Sequence, residues 1–149
     1  KKMTVEQMAS QVRLVKKVGI EIRGSFMVGL PGETPEKARE TIQYAINLNP
    51  DYAQFTITTP YPGTELWSTA EQWGTLNKDF RNFNEWKPVF IPNGYKSAEE
   101  LMSMHKEAFR RFYMRPKFIL KRIAKIRSFA DIRRNLKGLR VVYAMVSGK

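Results

Sequence analysis

Apolar and polar positions change their spacing several times along the chain, and each change marks an element. Thr4 and Gln7 form a capping-box pattern. After Thr4, apolar residues recur at helical spacing: Val5, Met8, Val12 and Val15. Gly19 stands where this helix can end in a left-handed turn. Residues 20–28, rich in branched and aromatic side chains, then predict a strand.

The same succession follows a second time. Thr34 is a good N-cap and Pro35 suits the first helical position, so a second helix is predicted to begin there. The segment 49–51 (NPD) breaks this helix, and residues 52–59 (YAQFTITT) predict a second strand. A shorter helix, capped by Thr64, closes the series.

The first 74 residues therefore alternate helix, strand, helix, strand, helix, and the last helix runs through Trp73 and is closed by Gly74. Strands separated by helices of this length indicate right-handed crossovers and a parallel sheet. Two parallel strands do not make a stable domain, and parallel sheets normally have both faces covered. We therefore expect the chain to be a fragment of a larger α/β protein, with more strands upstream.

The second half of the chain is less regular. Residues 75–96 have no clear period but many aromatic residues, which is typical of a packed or functional loop. Ser97 and Glu100 form another capping-box pattern, which predicts a helix that ends before Pro116. Residues 117–130 then predict a basic amphipathic helix. Its apolar stripe is Phe118, Ile119, Ile123, Ile126 and Ala130, with Lys121, Arg122, Lys125 and Arg127 around the rest.

Composition narrows the classes of function. The 149 residues suffice for one domain with a core, and no apolar run approaches about 18 residues, so no transmembrane helix is expected. The chain has no cysteine, which excludes disulfides, thiolate metal sites and cysteine nucleophiles from it. The net charge of +12 is uneven, because residues 1–109 hold 13 basic and 13 acidic residues while residues 110–149 hold 13 basic residues and one acid. The pattern indicates a neutral body with a cationic tail.

Two turns stand out as candidate ligand sites. Residues 29–32 (GLPG) and 60–63 (PYPG) each follow a predicted strand and precede a helix. In parallel α/β folds, ligands bind at the carboxyl ends of strands, where glycines let the backbone come close and helix N-termini offer free N–H groups. The spacing matches neither a dinucleotide nor a triphosphate fingerprint. On physical grounds alone, tight strand-to-helix turns without a ligand are the favoured reading.

Three segments, in this order and at these distances, resemble the second half of radical S-adenosylmethionine enzymes: GSFMVGLPGET, NPDYAQFTITTPYPGTELW and EAFRRFYMRP. The resemblance covers roughly residues 1–120 and is closest to the subgroup with an amino-terminal cobalamin-binding domain. It implies an α/β fold, the C-terminal part of a partial (β/α) barrel with six parallel strands, of which this chain holds the fifth and sixth. Residues 1–96 would form the last βα units and the aromatic loop, and residues 97–149 a mainly helical, basic C-terminal region.

The resemblance also implies the chemistry. The family cleaves S-adenosylmethionine reductively to a 5′-deoxyadenosyl radical, at a 4Fe-4S cluster held by a CxxxCxxC loop. Without cysteine, this chain alone is expected to retain no cofactor and to be inactive. The parent would use S-adenosylmethionine and the cluster, with cobalamin as a further candidate. Its small-molecule substrate stays open, and so does the reaction: methyl transfer, ring closure such as that of the anaerobic porphyrin-ester cyclases, or another bond formation.

Residue by residue, the family's apolar fifth-strand motif falls on Met27, Val28 and Gly29, which would pack against the adenine. Leu30 and Pro31 would shape the same wall, and the end of the sixth strand would border adenine or substrate. The candidate cofactor-binding residues are Met27, Val28, Gly29, Leu30, Pro31, Thr58, Thr59 and Tyr61. Plain barrel core for the first two, and a surface ring for Tyr61, stay open as alternatives. No catalytic residue and no metal ligand are assigned, because the radical comes from the cofactor.

Three other features have two interpretations each. Glu33 would contact the positive end of the cofactor, or simply favour the N-terminus of the following helix, which is the preferred reading. His105, the only histidine, lacks the partners of a zinc site and is expected to have a structural or solvent role. The aromatic residues between 80 and 95 would close over a substrate or, as we favour slightly, cover the open end of the barrel.

The basic tail has three candidate partners: an anionic membrane surface, nucleic acid phosphates, and the missing N-terminal half of the same protein. The pattern favours the missing half and disfavours nucleic acid, since no recognisable nucleic-acid fold or interleaved exposed aromatics are evident. A cytoplasmic location is the default expectation, with peripheral membrane contact through the tail as its extension. The competing class of function is a non-catalytic basic α/β module that binds anionic membrane or nucleic acid.

Overall fold

The computed structural model describes residues 3–83 and 87–124, and beyond them only residues 126, 128, 133, 137, 138, 140, 143 and 144. The elements in order are α1 (Val5–Lys17), β1 (Arg23–Val28), α2 (Pro35–Leu48), β2 (Tyr52–Ile57), α3 (Glu65–Trp73), β3 (Gly74–Leu76), a 3-10 turn (Phe80–Asn82), β4 (Phe90–Pro92), α4 (Ala98–Tyr113) and α5 (Pro116–Ala124). None of the helices among the described residues has both the length and the apolar character needed to cross a bilayer.

The helix ends form where the sequence predicts them. Thr4 completes a capping box with Gln7, and Thr34 accepts a hydrogen bond from the backbone of the first turn of α2. Gly19 adopts a φ of 79° just beyond α1, a left-handed conformation that costs glycine little. Asn49 ends α2 in the same conformation, with a φ of 52°. These signals act within a few residues and need no distant contact, which is why the pattern locates them correctly.

The two main strands pair in parallel, as expected, from Arg23 opposite Tyr52 to Val28 opposite Ile57. Both are shorter than predicted, because the pairing sets their length. The ladder starts where the Ile22 carbonyl accepts hydrogen bonds from the backbone N–H groups of Asp51 and Tyr52, so residues 20 and 21 lie before it. The fold is thus mixed α/β with a parallel sheet, and the six-stranded partial barrel stays a prediction.

One face of this sheet is covered by α2 and α4. Phe55 of β2 lies at the centre of the covered face, 1% exposed, and its ring stacks on Phe26 and meets the edges of Phe109 and Phe112. The buried core around it comprises Val28, Ala38, Ile42, Ala45, Ala53, Ile57, Tyr95, Leu101, Met104, Ala108, Phe109 and Phe112. Residues on both sides of position 96 therefore share one core, while the division of the chain at that position stays a prediction.

The segment predicted as an irregular loop, residues 75–96, contains two strands that the pattern missed. The strands β3 and β4 pair antiparallel, with Gly74 opposite Pro92. A Cβ at Gly74 would lie 2.1 Å from the Ile91 carbonyl oxygen, so this pairing requires glycine. Three-residue strands are too short to show an alternating pattern, which explains the miss.

Helix α5 begins at Pro116, one residue before the predicted start, and is described to Ala124, but its apolar residues do not share one side. Phe118 packs against Phe112 and Tyr113, whereas Ile119 and Ile123 are 38% and 58% exposed. The expected single stripe is therefore split between two sides of the helix. Lys121 and Arg122 fall on the side that contacts the body. Three further residues assigned to the predicted helix, Lys125, Arg127 and Ala130, lie outside the described residues.

Candidate functional site

The two glycine turns lie next to each other at the carboxyl edge of the sheet. Thr58, directly after β2, donates hydrogen bonds to the Val28 carbonyl oxygen from both its backbone N–H (2.9 Å) and its hydroxyl (3.0 Å). The last residue of β1 and the first residue beyond β2 are thus fixed together. Because parallel strands end at the same edge, the turns at 29–32 and 60–63 open to one side of the molecule.

The first turn is held by a buried carboxylate. Gly29 and Gly32 have φ values of 78° and 70°, and the Glu33 backbone N–H donates to the Leu30 carbonyl oxygen. Glu33 Oε1 accepts one hydrogen bond from the Gly29 backbone N–H (2.6 Å) and another from the Tyr95 hydroxyl (2.7 Å). The Glu33 side chain therefore points back into its own turn, and its oxygen satisfies the donors that this conformation would otherwise bury.

Tyr95 supports this arrangement from the other side of the core. Burial, together with the hydrogen bond to Glu33 and its charge, raises the pKa of Tyr95 well above its ordinary value, so the phenol stays a donor. The turn at Gly94, just before Tyr95, packs on the backbone of the turn at 29–32. A Cβ at Gly94 would come within 2.2 Å of the Glu33 carbonyl oxygen. Sequence reasoning missed this pair, although the Asn93-Gly94 dipeptide is a turn signal.

The second turn is closed by its own cap. Thr64 donates to the Tyr61 carbonyl oxygen from its backbone N–H (3.2 Å) and its hydroxyl (2.6 Å), and it caps α3 by accepting from the Trp67 N–H. Gly63 has a φ of 81°, and a Cβ there would meet nothing within 4 Å. This turn is thus built from local bonds and stands free of the core, unlike the first.

The structure divides the predicted site residues into exposed and buried groups. Met27, Leu30 and Tyr61 are 44%, 42% and 48% exposed, and their side chains are available to a ligand. Val28, Gly29 and Thr58 are buried, while Pro31 and Thr59 are half-buried. Whether any of the eight binds a cofactor stays a prediction.

The structure gives Gly29 a packing role that the sequence did not predict, in addition to the expected close approach of a cofactor. A Cβ at this position would meet both methyl carbons of Leu101, each at 3.1 Å, so that side of the residue faces α4. Its N–H is also bonded to Glu33. Only its backbone carbonyl is left as a candidate contact for a ligand.

The uncovered face of the sheet is more polar than the covered one. Its residues, opposite one another in the register, are Arg23, Ser25 and Met27 on β1 and Tyr52, Gln54 and Thr56 on β2. Met27 belongs both to this face and to the carboxyl edge, so the face continues into the turns. The alternation in RGSFMV and YAQFTI could have revealed it from the sequence, because residues two apart share a face.

An aromatic cluster borders the second turn. Tyr61 lies edge-on to Phe83 at 6.0 Å, and Trp67 of α3 stacks on Phe80 and tilts against Phe83. Phe80 is nevertheless 62% exposed. The start of the predicted aromatic loop thus lies beside the candidate site, while both expected roles, closure over a substrate and cover for the barrel end, remain predictions.

The described residues contain no group of three or more histidine, cysteine, aspartate or glutamate side chains able to hold a metal ion. His105 is buried, and its Nε2 donates to the Phe55 carbonyl oxygen at 2.9 Å. This bond gives the histidine the structural role expected from the sequence. Burial lowers its pKa, against the opposing effect of the same hydrogen bond.

No protein-family model matches the chain. Among curated proteins, it is 39% identical to an uncharacterized methyltransferase of Pyrococcus horikoshii over 144 residues, which are 96% of this chain and 31% of that protein. It is also similar to the anaerobic magnesium-protoporphyrin IX monomethyl ester cyclases of Rubrivivax gelatinosus and Cereibacter sphaeroides. The identity to the Rubrivivax protein is 32%, over 80% of this chain and 21% of the relative. The identity to the Cereibacter protein is 30%, over 77% of this chain and 18% of the relative. The chain thus spans less than a third of the length of these relatives, all of which are named as enzymes.

Proposed function

We propose that this chain is the C-terminal part of a radical S-adenosylmethionine enzyme, of the subgroup with an N-terminal cobalamin-binding domain. In this proposal the chain supplies the last two strands of a partial (β/α) barrel. The parent cleaves S-adenosylmethionine to a 5′-deoxyadenosyl radical and uses it for methyl transfer or ring formation. The observation that carries the proposal is the carboxyl edge of the sheet, where both glycine turns begin side by side around the Val28 carbonyl.

The relatives support the class of reaction. One is named a methyltransferase and two are named cyclases, which are the two outcomes named in the proposal. The alignments cover most of this chain but under a third of each relative, as expected if a catalytic region lies elsewhere in a longer protein.

Incomplete packing supports a larger barrel. Within the described residues, β1 and β2 pair only with each other, and only one face of their sheet is covered. Helix α1 has no buried residue, although one side of it is apolar. Large apolar residues in and beside this helix are exposed: Met3, Val5, Met8, Leu14, Val18 and Ile20. Further βα units beside β1 would cover these side chains and complete the sheet.

The chain's own residues have distinct tasks in this proposal. The exposed side chains of Met27, Leu30 and Tyr61 form the apolar surface against which the adenine packs. Thr58 and Val28 hold the two turns together, and the half-buried Pro31 and Thr59 shape the walls. The polar face from Arg23 to Gln54 lines the barrel interior below, where it would contact the substrate.

The residues of this chain cannot hold the 4Fe-4S cluster of the proposed parent. It needs cysteine thiolates, and the 149 residues contain none, so its ligands come from another part of the parent. When bound, cluster and S-adenosylmethionine together supply the radical. What these 149 residues contribute is a wall that binds and orients the adenine and shields it from water.

The direct test measures 5′-deoxyadenosine. The longest natural protein that includes these residues is purified without oxygen, loaded with iron and sulfide, and mixed with S-adenosylmethionine and a low-potential reductant. We expect 5′-deoxyadenosine from that protein and none from the 149-residue chain. Cleavage by the short chain, or none by a correctly folded, iron-loaded long protein, would refute the proposal.

A second test addresses the adenine wall. Leu30→Ala and Tyr61→Ala should each weaken S-adenosylmethionine binding roughly fivefold, since loss of an apolar contact of about 1 kcal/mol has that effect. Met114→Ala is the matched control, because Met114 is 57% exposed at the end of α4, away from the turns. Equal affinity in all three variants would remove these residues from the site.

A further inference from the structure

Helix α5 docks on the body through one side and presents an aliphatic surface on the other. Phe118 packs its ring on Phe112 and Tyr113, Lys121 Nζ contacts Asp51 Oδ1 at 3.0 Å, and the Arg122 guanidinium lies 4.2 Å from the centre of the Tyr52 ring. At about 100° per residue, these three docking residues lie roughly opposite the outward group of Ile119, Leu120 and Ile123. Those three are 38%, 66% and 58% exposed.

Cations flank the aliphatic surface. Lys117 is exposed beside it, and Lys121 keeps 42% of its side chain accessible despite its ion pair. The chain from residue 110 onward carries 13 basic residues against one acid. A partner for this surface must therefore accept aliphatic side chains, and a negative charge on it would suit Lys117 and Lys121.

We propose that the outward surface of α5 binds an anionic lipid bilayer. Aliphatic side chains enter the headgroup region while the flanking lysines meet anionic headgroups, and these two signals together suffice for reversible attachment where either alone is marginal. Nucleic acid matches the charge but gives aliphatic residues no favourable partner. Packing on the protein's own missing half, which the pattern favoured, stays the alternative for these side chains and is one outcome of the test below.

The location of α5 is compatible with an active site elsewhere. Asp51 directly precedes β2 and Tyr52 begins it, so α5 lies at the amino ends of the strands. The glycine turns lie at the carboxyl ends, about 20 Å away for a six-residue strand. A bilayer bound at α5 would leave the carboxyl edge accessible.

The test is sedimentation with lipid vesicles, using the protein as the organism makes it. Vesicles of equal parts phosphatidylglycerol and phosphatidylcholine should bind it, and pure phosphatidylcholine vesicles should not. Salt at 1 M should release most of the protein, because the screening length falls to about 3 Å. Equal sedimentation with both lipid compositions, or none with either, would overturn the proposal.

Matched variants locate the contact. Leu120→Ser combined with Ile123→Ser should weaken vesicle binding at least about fivefold, since two exposed aliphatic side chains are lost from the surface. Phe80→Ser removes an apolar residue of similar exposure, 62%, from the region of the carboxyl edge and should leave binding unchanged. Circular dichroism checks that both variants keep the helix content.

Three outcomes assign the surface to a different occupant and refute the proposal. If the Leu120/Ile123 variant binds vesicles like the unmodified protein but both bind duplex DNA or RNA more tightly, the charge serves nucleic acid. If the variant abolishes self-association seen by analytical ultracentrifugation, a second copy occupies the surface. If it unfolds the protein without any vesicle binding in the unmodified form, the protein's own missing half covers it.

Discussion

The two faces of the β1–β2 sheet come from the same twelve residues and have opposite characters. The covered face carries Phe26 and Phe55 under α2 and α4, with rings stacked at 5.4 Å. The open face carries Arg23, Ser25 and Gln54. The contrast teaches that stability is concentrated on one face, while the other is available for binding.

The largest expected effect breaks the covered face. Phe55→Ala should destabilise the fold by about 3–5 kcal/mol, because a fully buried ring in contact with three others leaves a cavity. Met27→Ala, on the neighbouring strand but on the open face, should cost under about 1 kcal/mol. Urea unfolding of both variants measures the difference. Similar losses would mean that the open face also contributes to the core.

The next effect concerns the carboxylate that holds the first turn. Glu33→Ala should cost about 2–3 kcal/mol, because it leaves both the Gly29 N–H and the Tyr95 hydroxyl buried without an acceptor. Tyr95→Phe removes one bond and leaves the turn its carboxylate, so its cost should be smaller. Thermal unfolding distinguishes the two. A Glu33→Ala variant as stable as the unmodified protein would show that the turn does not need the carboxylate.

A pair of glycines separates turn strain from packing. Gly29→Ala and Gly63→Ala both place alanine at a left-handed φ, 78° and 81°, but only the first brings a Cβ to 3.1 Å from Leu101. We expect about 1 kcal/mol for Gly63→Ala and about 2 kcal/mol for Gly29→Ala. Combining Gly29→Ala with Leu101→Val tests the origin of the excess, which should shrink if the contact causes it. An equal loss of stability in the two single variants would mean that backbone strain alone accounts for the effect at both positions.

Acid should lower the free energy of unfolding through His105, which lies on α4 over the covered face. Burial lowers the pKa of this histidine in the fold below its ordinary value of 6.5. The unfolded chain therefore takes up a proton before the folded one does, so stability is present above about pH 6.5 and falls as the pH drops. His105→Gln keeps a donor and should flatten this part of the pH–stability curve. An unchanged acid slope in the variant would assign the loss to other groups.

The smallest expected change in stability sharpens the contrast from the open side. Ser25→Ala and Gln54→Ala should each alter the free energy of unfolding by less than about 0.5 kcal/mol, since neither side chain is buried. In the full-length enzyme of our proposal, the same variants should raise KM for the substrate. Unchanged kinetics together with unchanged stability would leave the polar face without a role in binding.

Local sequence signals determined much of this protein. The caps at Thr4, Thr34 and Thr64, together with the stops at Gly19 and Asn49, act over a few residues and need no distant partner. The parallel pairing also followed from the alternation of helices and strands. Because parallel strands end at one edge of a sheet, the same alternation assigned both glycine turns to that edge.

Tertiary structure alone decided the features that join distant residues. Glu33 and Tyr95 are 62 positions apart and meet only because the turn after β4, at Gly94, packs on the backbone of the turn at 29–32. The length of β1 depends on its partner strand. The division of α5 into a docking side and an outward side depends on the packing of the Phe118 ring against Phe112. The physical reason is common to all three. A periodic pattern states which residues are apolar, whereas burial depends on which surface another part of the chain happens to cover.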